Sequence, residues 1–404
     1  MMALTYADFL SSLDLEALPM RWEELFPSAA AEFDACGCRL TESSWYERLH
    51  ERYGMLDGLL EHYKAAAAAV KKNEALSLLL LLLARAQEDR ACIGPELKQF
   101  AFPKAGPDDD PLAYAMLGAL AITATADYCH DLLRARHIPQ HHIDTVLRTP
   151  EVTVRKNLAK TGQPSCEPAM FLWNQNLIDG KLFRLGRLEI HLLESFGGCA
   201  RVFGNFQGET VSLAEGITFH RSGYALGSLH FEDEDGSFEG TITETDTYYE
   251  GYPYRADGTA SPIKIRLLKS EWRCVLSRED PVIKLHIPAG GGLSEDAVED
   301  SLRQGKDFAS TYFPDFLYKA FSCYSWLCDP QIIPFVSADS NIGRFCRRFH
   351  PLTVRSNGRS IFRFVFDDEE LPIEAIPENT RLSRALKQHY RSGKAVYDMR
   401  GFFF

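Results

Sequence analysis

Four groups of residues in this sequence carry side chains or backbone suited to chemistry. His286 lies in Pro281-Val282-Ile283-Lys284-Leu285-His286-Ile287, and an imidazole, ionising near neutral pH, is the side chain best suited to take a proton as a general base. The plainer reading is a histidine satisfied within a strand, since alternation turns its ring onto one face only. Close behind come Gly290, Gly291 and Gly292, then Leu293 and Ser294. Glycines ahead of a helix let an anion approach unpaired backbone N–H groups and the positive end of the dipole. Glu295 and Asp296 oppose this with negative charge in the first turn, and no Lys or Arg follows the glycines as in a nucleotide-triphosphate loop. The third group is Cys323-Tyr324-Ser325-Trp326, where a cysteine at a strand end near a histidine could act as a nucleophile or simply be a small buried hydrophobe. The fourth is Glu244, Asp246, Tyr248 and Tyr252. Its carboxylates and phenols suit an amine, through charge and cation–π contact, or form an ordinary solvated loop.

The elements that must position these groups follow from hydrophobic period. Residues 281–287 alternate apolar with polar or basic side chains and predict a strand with one buried face. Pro288 and the glycines stop it. From Leu293 the period becomes helical, with Val298, Leu302, Gly305, Phe308 and Ala309 on one face and Ser294 as N-cap. The helix ends near residues 312–314, and residues 318–327 read as a second buried strand. The whole is a strand, glycine loop, helix, strand crossover.

His286-Ile287-Pro288-Ala289-Gly290-Gly291-Gly292-Leu293, the segment from Phe321-Ser322-Cys323-Tyr324 to Asp329-Pro330, and Ser340-Asn341-Ile342-Gly343-Arg344-Phe345 resemble a bacterial acyltransferase-domain family. Its members pair a helical N-acyltransferase N-terminal domain with a GNAT-like C-terminal domain. Thr243-Glu244-Thr245-Asp246, Gly251-Tyr252-Pro253 and Phe183-Arg184-Leu185-Gly186-Arg187-Leu188 are further landmarks, so the resemblance spans nearly the whole chain. It implies an acyl-CoA co-substrate, no metal, and binding by residues 282–297, with Gly290 to Ser294 on the pyrophosphate and an acyl group passed to an amine.

Within that expectation His286 is the base, Glu244 and Asp246 are alternative bases, and Tyr324 or Tyr312 is the acid for the leaving thiolate. Asp246, Tyr248, Tyr252, Ser325 and Trp326 line the acceptor side, and Cys323 offers a covalent alternative. The chain departs from the family's pattern by carrying Gly292 for proline, Tyr324 for histidine, Cys328 for leucine and Cys346 for glutamine. No histidine therefore carries over to position 324. The alternative from another class is a non-catalytic binding or regulatory protein that keeps the fold.

A length of 404 residues predicts two domains, a helical one over residues 1–180 and a GNAT-like mixed-sheet domain over 181–404, α+β in class. The formal charge of −12 argues against nucleic acid or an anionic membrane surface as partner, leaving a small-molecule substrate and acyl-CoA. Oligomeric state stays open. Residues 1–18 have no basic segment or small-residue cleavage site, and the apolar run 76–84 is too short to span a bilayer. Ten scattered cysteines predict reduced thiols and a cytoplasmic setting. Cys36-Gly-Cys38 has no second pair to make a metal site, and Pro139 interrupts the histidines at 130, 137, 141 and 142. Helical periods are expected at 29–33, 44–53, 56–70, 75–86, 112–134 and 142–160. Strands are expected at 187–192, 200–203, 216–220, 228–231 and 241–243, with a turn at 233–236. After the crossover a helix near 341–349, a strand at 361–366, a helix at 381–390 and a strand at 396–404 complete the reading.

Overall fold

Leucine at nearly every position from 76 to 83 leaves a helix no polar face, and the helix that forms there is a core helix. A computed structural model describes residues 4–89, 100–166 and 168–404 of the protein, which divide into two compact units, Met1–Arg184 and Leu185–Phe404. Among the described residues the first unit holds ten helices, from α1 (Tyr6–Ser12) to α10 (Pro168–Ile178). Leu76 and Leu78 through Leu83 in α5 (Glu74–Glu88) are all buried, and Asn73 caps the helix by accepting the Leu76 N–H at 3.0 Å.

Two expected long helices are broken. Residues 112–134 form α6 (Pro111–Ala124) and α7 (Ala126–Ala135), parted at Thr125, whose hydroxyl donates to the Ile122 carbonyl at 2.8 Å and so competes with the helix. Residues 142–160 form α8 (Gln140–Arg148) and α9 (Glu151–Thr161), parted at Pro150, which has no N–H to continue the ladder. The stretch Pro111–Ala135 is long and apolar enough to cross a membrane, but 72% of its apolar window is buried inside the protein, as for a core helix.

From Leu182 onward period-two segments become strands. The principal sheet has six, in the order β1-β2-β11-β12-β14-β13: β1 (Leu182–Leu185), β2 (Leu188–Leu193), β11 (Val282–His286), β12 (Ala320–Ser325), β14 (Met399–Phe403) and β13 (His350–Thr353). Strands β11 and β12 are parallel neighbours joined through α11 (Glu295–Tyr312), which makes the crossover a direct one. Strand β11 is antiparallel to β2, and β14 is antiparallel to both β12 and β13. A second sheet has the order β10-β3-β4, from β3 (Ala200–Asn205), β4 (Thr210–Ala214) and β10 (Trp272–Leu276). A third contains β7 (Ile242–Glu244), β8 (Tyr248–Gly251) and β9 (Ile265–Leu268), and β5 (Thr218–Phe219) pairs with β6 (Phe238–Glu239).

Register assigns the side chains of the principal sheet to faces. Val282 pairs with Ala320 and Leu193, and these join Leu352 and Phe402 in a buried cluster with Phe196, Ala200, Val202 and Leu276. Residues of β3 and β10 thus pack on one half of this face. Each large side chain fully buried there contributes about 1.5–3 kcal/mol. On the opposite face α11 packs so closely that a Cβ on Gly305 would come 3.2 Å from the Ile190 Cδ1, and Phe321 stacks on Phe403 at 5.1 Å between centroids.

Two expected strands are not strands. Residues 361–366 lie in a helix, α14 (Ser360–Phe366), with Arg359 over the Phe362 ring and Phe362 edge-on to Tyr390. Residues 228–231 form a turn closed by a single bridge between Ser228 and Phe231, with His230 at φ +70°. In both cases packing or turn geometry overrides an alternating sequence pattern.

Candidate active site

The loop between β11 and α11 is shaped by its glycines and tied by one arginine. Gly290 and Gly291 have φ of +80° and +71°, the left-handed region that glycine enters without strain. Arg187, in the β1–β2 turn, donates from Nη1 to the Pro288 carbonyl at 2.9 Å, from Nε to that of Gly292 at 3.0 Å and from Nη2 to that of Gly291 at 3.3 Å. Three carbonyls of the loop are therefore held on the Arg187 side. Ser294 occupies the N-cap position of α11, but its side chain makes no capping bond, and Leu293 is buried. The negative charge expected to repel an anion is partly offset, because Glu295 pairs with Arg344 at 2.9 Å and Glu299 pairs with Arg348.

Beyond the loop the parallel strands part. Their ladder ends at Leu285 opposite Cys323, after which β11 leaves for the loop while β12 runs on along β14 to Ser325. On the face shared with the apolar cluster, the half next to this parting is polar. Lys284 lies opposite His191 on one side and Ser322 on the other, His286 opposite Glu189, and Tyr324 opposite Arg400.

His191 Nδ1 and His286 Nε2 are 3.3 Å apart, so one ring donates and the other accepts. Burial, then Lys284 and His191, hold His286 well below the ordinary imidazole range, which leaves it uncharged at neutral pH. Burial and then Arg400 lower Lys284, with Cys323 acting the other way. Burial, then Asp398, raise Tyr324 against the pull of Arg400, so its phenol keeps its proton. Arg400 stacks 5.4 Å over Phe196 and donates to the Phe196 carbonyl. Two polar atoms in this patch have no hydrogen-bond partner among the described residues, Ser322 Oγ and Arg400 Nε. Leaving such an atom dry and unpaired costs about 1–3 kcal/mol.

The structure treats the residues expected from sequence unequally. His286 and Tyr324 share the polar half-face, and Tyr324 is 45% exposed. Cys323 alternates onto the opposite face, is 1% exposed, and its carbonyl lies 3.9 Å from the thiol of Cys328. That corrects the nucleophile reading, since strand alternation turns the thiol away from His286. Ser325 caps the turn that follows, accepting the Leu327 N–H at 3.1 Å, and Trp326 is buried.

Glu244, Asp246, Tyr248 and Tyr252 belong to the β7–β9 region. Glu244 pairs with Lys269 at 2.8 Å and Arg201 at 3.2 Å, and the Lys269 bond first, against partial desolvation, lowers its pKa and weakens it as a base. Arg266 lies 4.7 Å from the Tyr248 centroid and Lys264 5.0 Å from that of Tyr252. The cations expected on these rings come from the chain itself. Sequence reasoning missed His191, Lys284, Ser322 and Arg400 as site residues. Their signal is a basic or hydroxyl side chain at an interior position of an otherwise buried strand.

A mixed sheet with a parallel β-α-β crossover, a parting of the two parallel strands and a glycine loop at the helix start defines a GNAT-like α+β fold. Residues 182–403 match the family described as GNAT-like C-terminal domain, which is more than half of the chain, and the chain belongs to that family. No curated protein matches it in sequence. Among solved structures it is similar to an acyltransferase in complex with decanoyl-CoA and teicoplanin, with 21% identity, 98% of each chain covered and a TM-score of 0.60. Structures of an acyltransferase with CoA and 10C-teicoplanin, and of an acyltransferase with decanoyl-CoA, match at 21% and 20% identity with the same coverage and TM-score. This likeness extends the shared fold through the helical unit.

Proposed function

We propose that this chain is an N-acyltransferase that moves an acyl group from acyl-CoA to the amine of a small-molecule acceptor, and that residues 181–404 carry the chemistry beside a helical domain over 1–180. The observation that carries this reading is the uncharged His286, in contact with His191 at 3.3 Å, next to the parting of β11 and β12. Its support from outside the chain is that the similar solved acyltransferases hold acyl-CoA or CoA. In this reading the pyrophosphate rests on the backbone of Gly290 to Ser294, and the extended cofactor enters where the strands separate.

The acceptor's uncharged amine attacks the thioester carbonyl, and the histidine pair takes the one proton that the nitrogen sheds as it becomes an amide. The new C–N bond forms as the carbonyl π electrons move onto oxygen. When the C–O double bond returns, the C–S bond breaks and CoA leaves as a thiolate. Tyr324, held protonated beside the pair, gives that sulfur a proton. Direct transfer needs no nucleophile from the protein, in keeping with the place of Cys323 on the far face.

Calorimetric titration with acetyl-, octanoyl- and decanoyl-CoA tests the reading. Micromolar binding of at least one is expected, together with amine-dependent release of free thiol. If none of the three binds, the protein is not an acyl-CoA enzyme.

A further inference from the structure

The polar half-face contains more positive charge than acyl transfer requires. Lys284 and Arg400 sit on it two strands apart with Ser322 and Tyr324 between them. Neither makes an ion pair with a carboxylate among the described residues, and Arg400 instead donates to the Phe196 carbonyl and stacks over the Phe196 ring. In a chain with 56 acidic against 44 basic residues, a partly buried pair of cations left without acid partners stands out.

Ser322 is the second observation. It is 1% exposed, its Oγ has no partner among the described residues, and its register puts it on the same face, directly beside Lys284. Ala320, one period earlier on this strand, is accommodated in the apolar cluster without any polar group, so packing alone gives no reason for a hydroxyl at 322. Arg400 Nε, also buried and unpartnered, adds a second donor.

We propose that Lys284, Ser322 and Arg400 form a subsite for an anionic group on the acceptor, so that the amine acylated here belongs to a molecule that also carries a carboxylate or a phosphate. This rests on the acyltransferase reading for its place in the reaction, though the subsite itself does not depend on acyl-CoA. A lysine and a hydroxyl held on adjacent strands, backed by a guanidinium, suit the several lone pairs of an oxyanion. Lys284 and His286 are two positions apart on one strand, roughly 6.5–7 Å. That spacing places acid and amine a few bonds apart. Lys284 is one of the groups that hold His286 low, so an anion beside it makes the imidazole a better base as the acceptor arrives.

Matched pairs of amines test this: phenylalanine against phenylalaninamide, 4-aminobutyrate against its amide, and O-phosphoethanolamine against ethanolamine, each titrated into CoA-loaded protein. At least one acidic member is expected to bind about tenfold or more tighter than its neutral partner. Lys284→Met should abolish the difference, Lys284→Arg should retain part of it, and Ser322→Ala, which removes no packing volume of consequence, should reduce it about threefold. Equal affinity within every pair, or a preference that survives Lys284→Met, overturns the subsite. A loss of affinity in Lys284→Met for CoA but not for 3′-dephospho-CoA assigns the cations to the cofactor's phosphate and also overturns it. If none of acetyl-, octanoyl- and decanoyl-CoA binds while acidic amines still discriminate, the acyl-transfer reading falls and the anion subsite stands.

Discussion

Two polar clusters in the second unit invite comparison, one on the β7–β9 sheet and one on the half-face of the principal sheet. In the first, three of the four groups highlighted by sequence have an internal partner: Glu244 with Lys269 and Arg201, Tyr248 beneath Arg266, and Tyr252 beneath Lys264. In the second, Ser322 Oγ and Arg400 Nε have no hydrogen-bond partner and Lys284 no carboxylate partner among the described residues, and two histidines are held against each other. Both clusters look alike in a sequence, as polar residues among aromatics and apolar ones. What separates them is whether the chain has already closed their bonds, and a partly buried cluster left open is the one that needs a ligand.

The largest expected effect comes from the open cluster. His286→Ala and His191→Ala should each lower kcat by about 10²–10⁴ with a smaller change in KM, as measured by thiol release, because each removes half of the proton-accepting pair. Cys323→Ser should leave kcat within about threefold, and the reverse ranking would replace direct transfer by a covalent cysteine mechanism. The pH profile sharpens the same point. His286 is lowered below its ordinary value and must be uncharged to act, so activity should be lost only as pH falls through that depressed pKa, well below the ordinary imidazole range. Stability has a matching sign, because protonation is easier in the unfolded chain. The contribution from keeping His286 neutral is fully present above the unfolded pKa and is lost as pH falls toward the folded one.

An intermediate effect is expected at the loop. Arg187→Ala frees three carbonyls and should raise KM for acyl-CoA about tenfold while changing kcat less, with Arg187→Lys restoring only part, since an ammonium cannot reproduce the guanidinium fork. An unchanged KM would mean that the loop keeps its shape without this tie.

The smallest effect belongs to the closed cluster. Glu244→Gln should change kcat by less than about twofold and, as an exposed ion-paired residue, should shift stability by no more than about 1 kcal/mol. A large fall in kcat would show that the two clusters act together.

The crossover was legible in sequence because its signals are local: alternation through His286, the glycines, then the helical period from Leu293. The half-face was not, because His191, Lys284 and Arg400 come from strands far apart in the chain, and only ladder register brings them onto one surface. Residues 361–366 misled for a related reason. Ile361-Phe362-Arg363-Phe364-Val365-Phe366 alternates like a strand, yet Phe362 packs against Arg359 and Tyr390 as part of a helix. Cys323 lies within β12 and Trp326 just past its end, and the side to which each side chain turns depends on a register that composition does not encode.

The order of the principal sheet also constrains how it can be made. Strand β14 follows β12 and β13 in the chain but lies between them, bonded to both. During synthesis β12 and β13 therefore exist as open edges until residue 403 has emerged, and an edge of that kind is a template for pairing with the wrong chain. Asp329, buried and accepting the Tyr397 N–H at 2.9 Å, fixes the approach to β14. A substitution at 329 would accordingly reduce the yield of native protein during refolding more than it disturbs molecules already folded. Arg400 arrives with this same strand, so the polar half-face acquires one of its cations only at the step that seals the sheet.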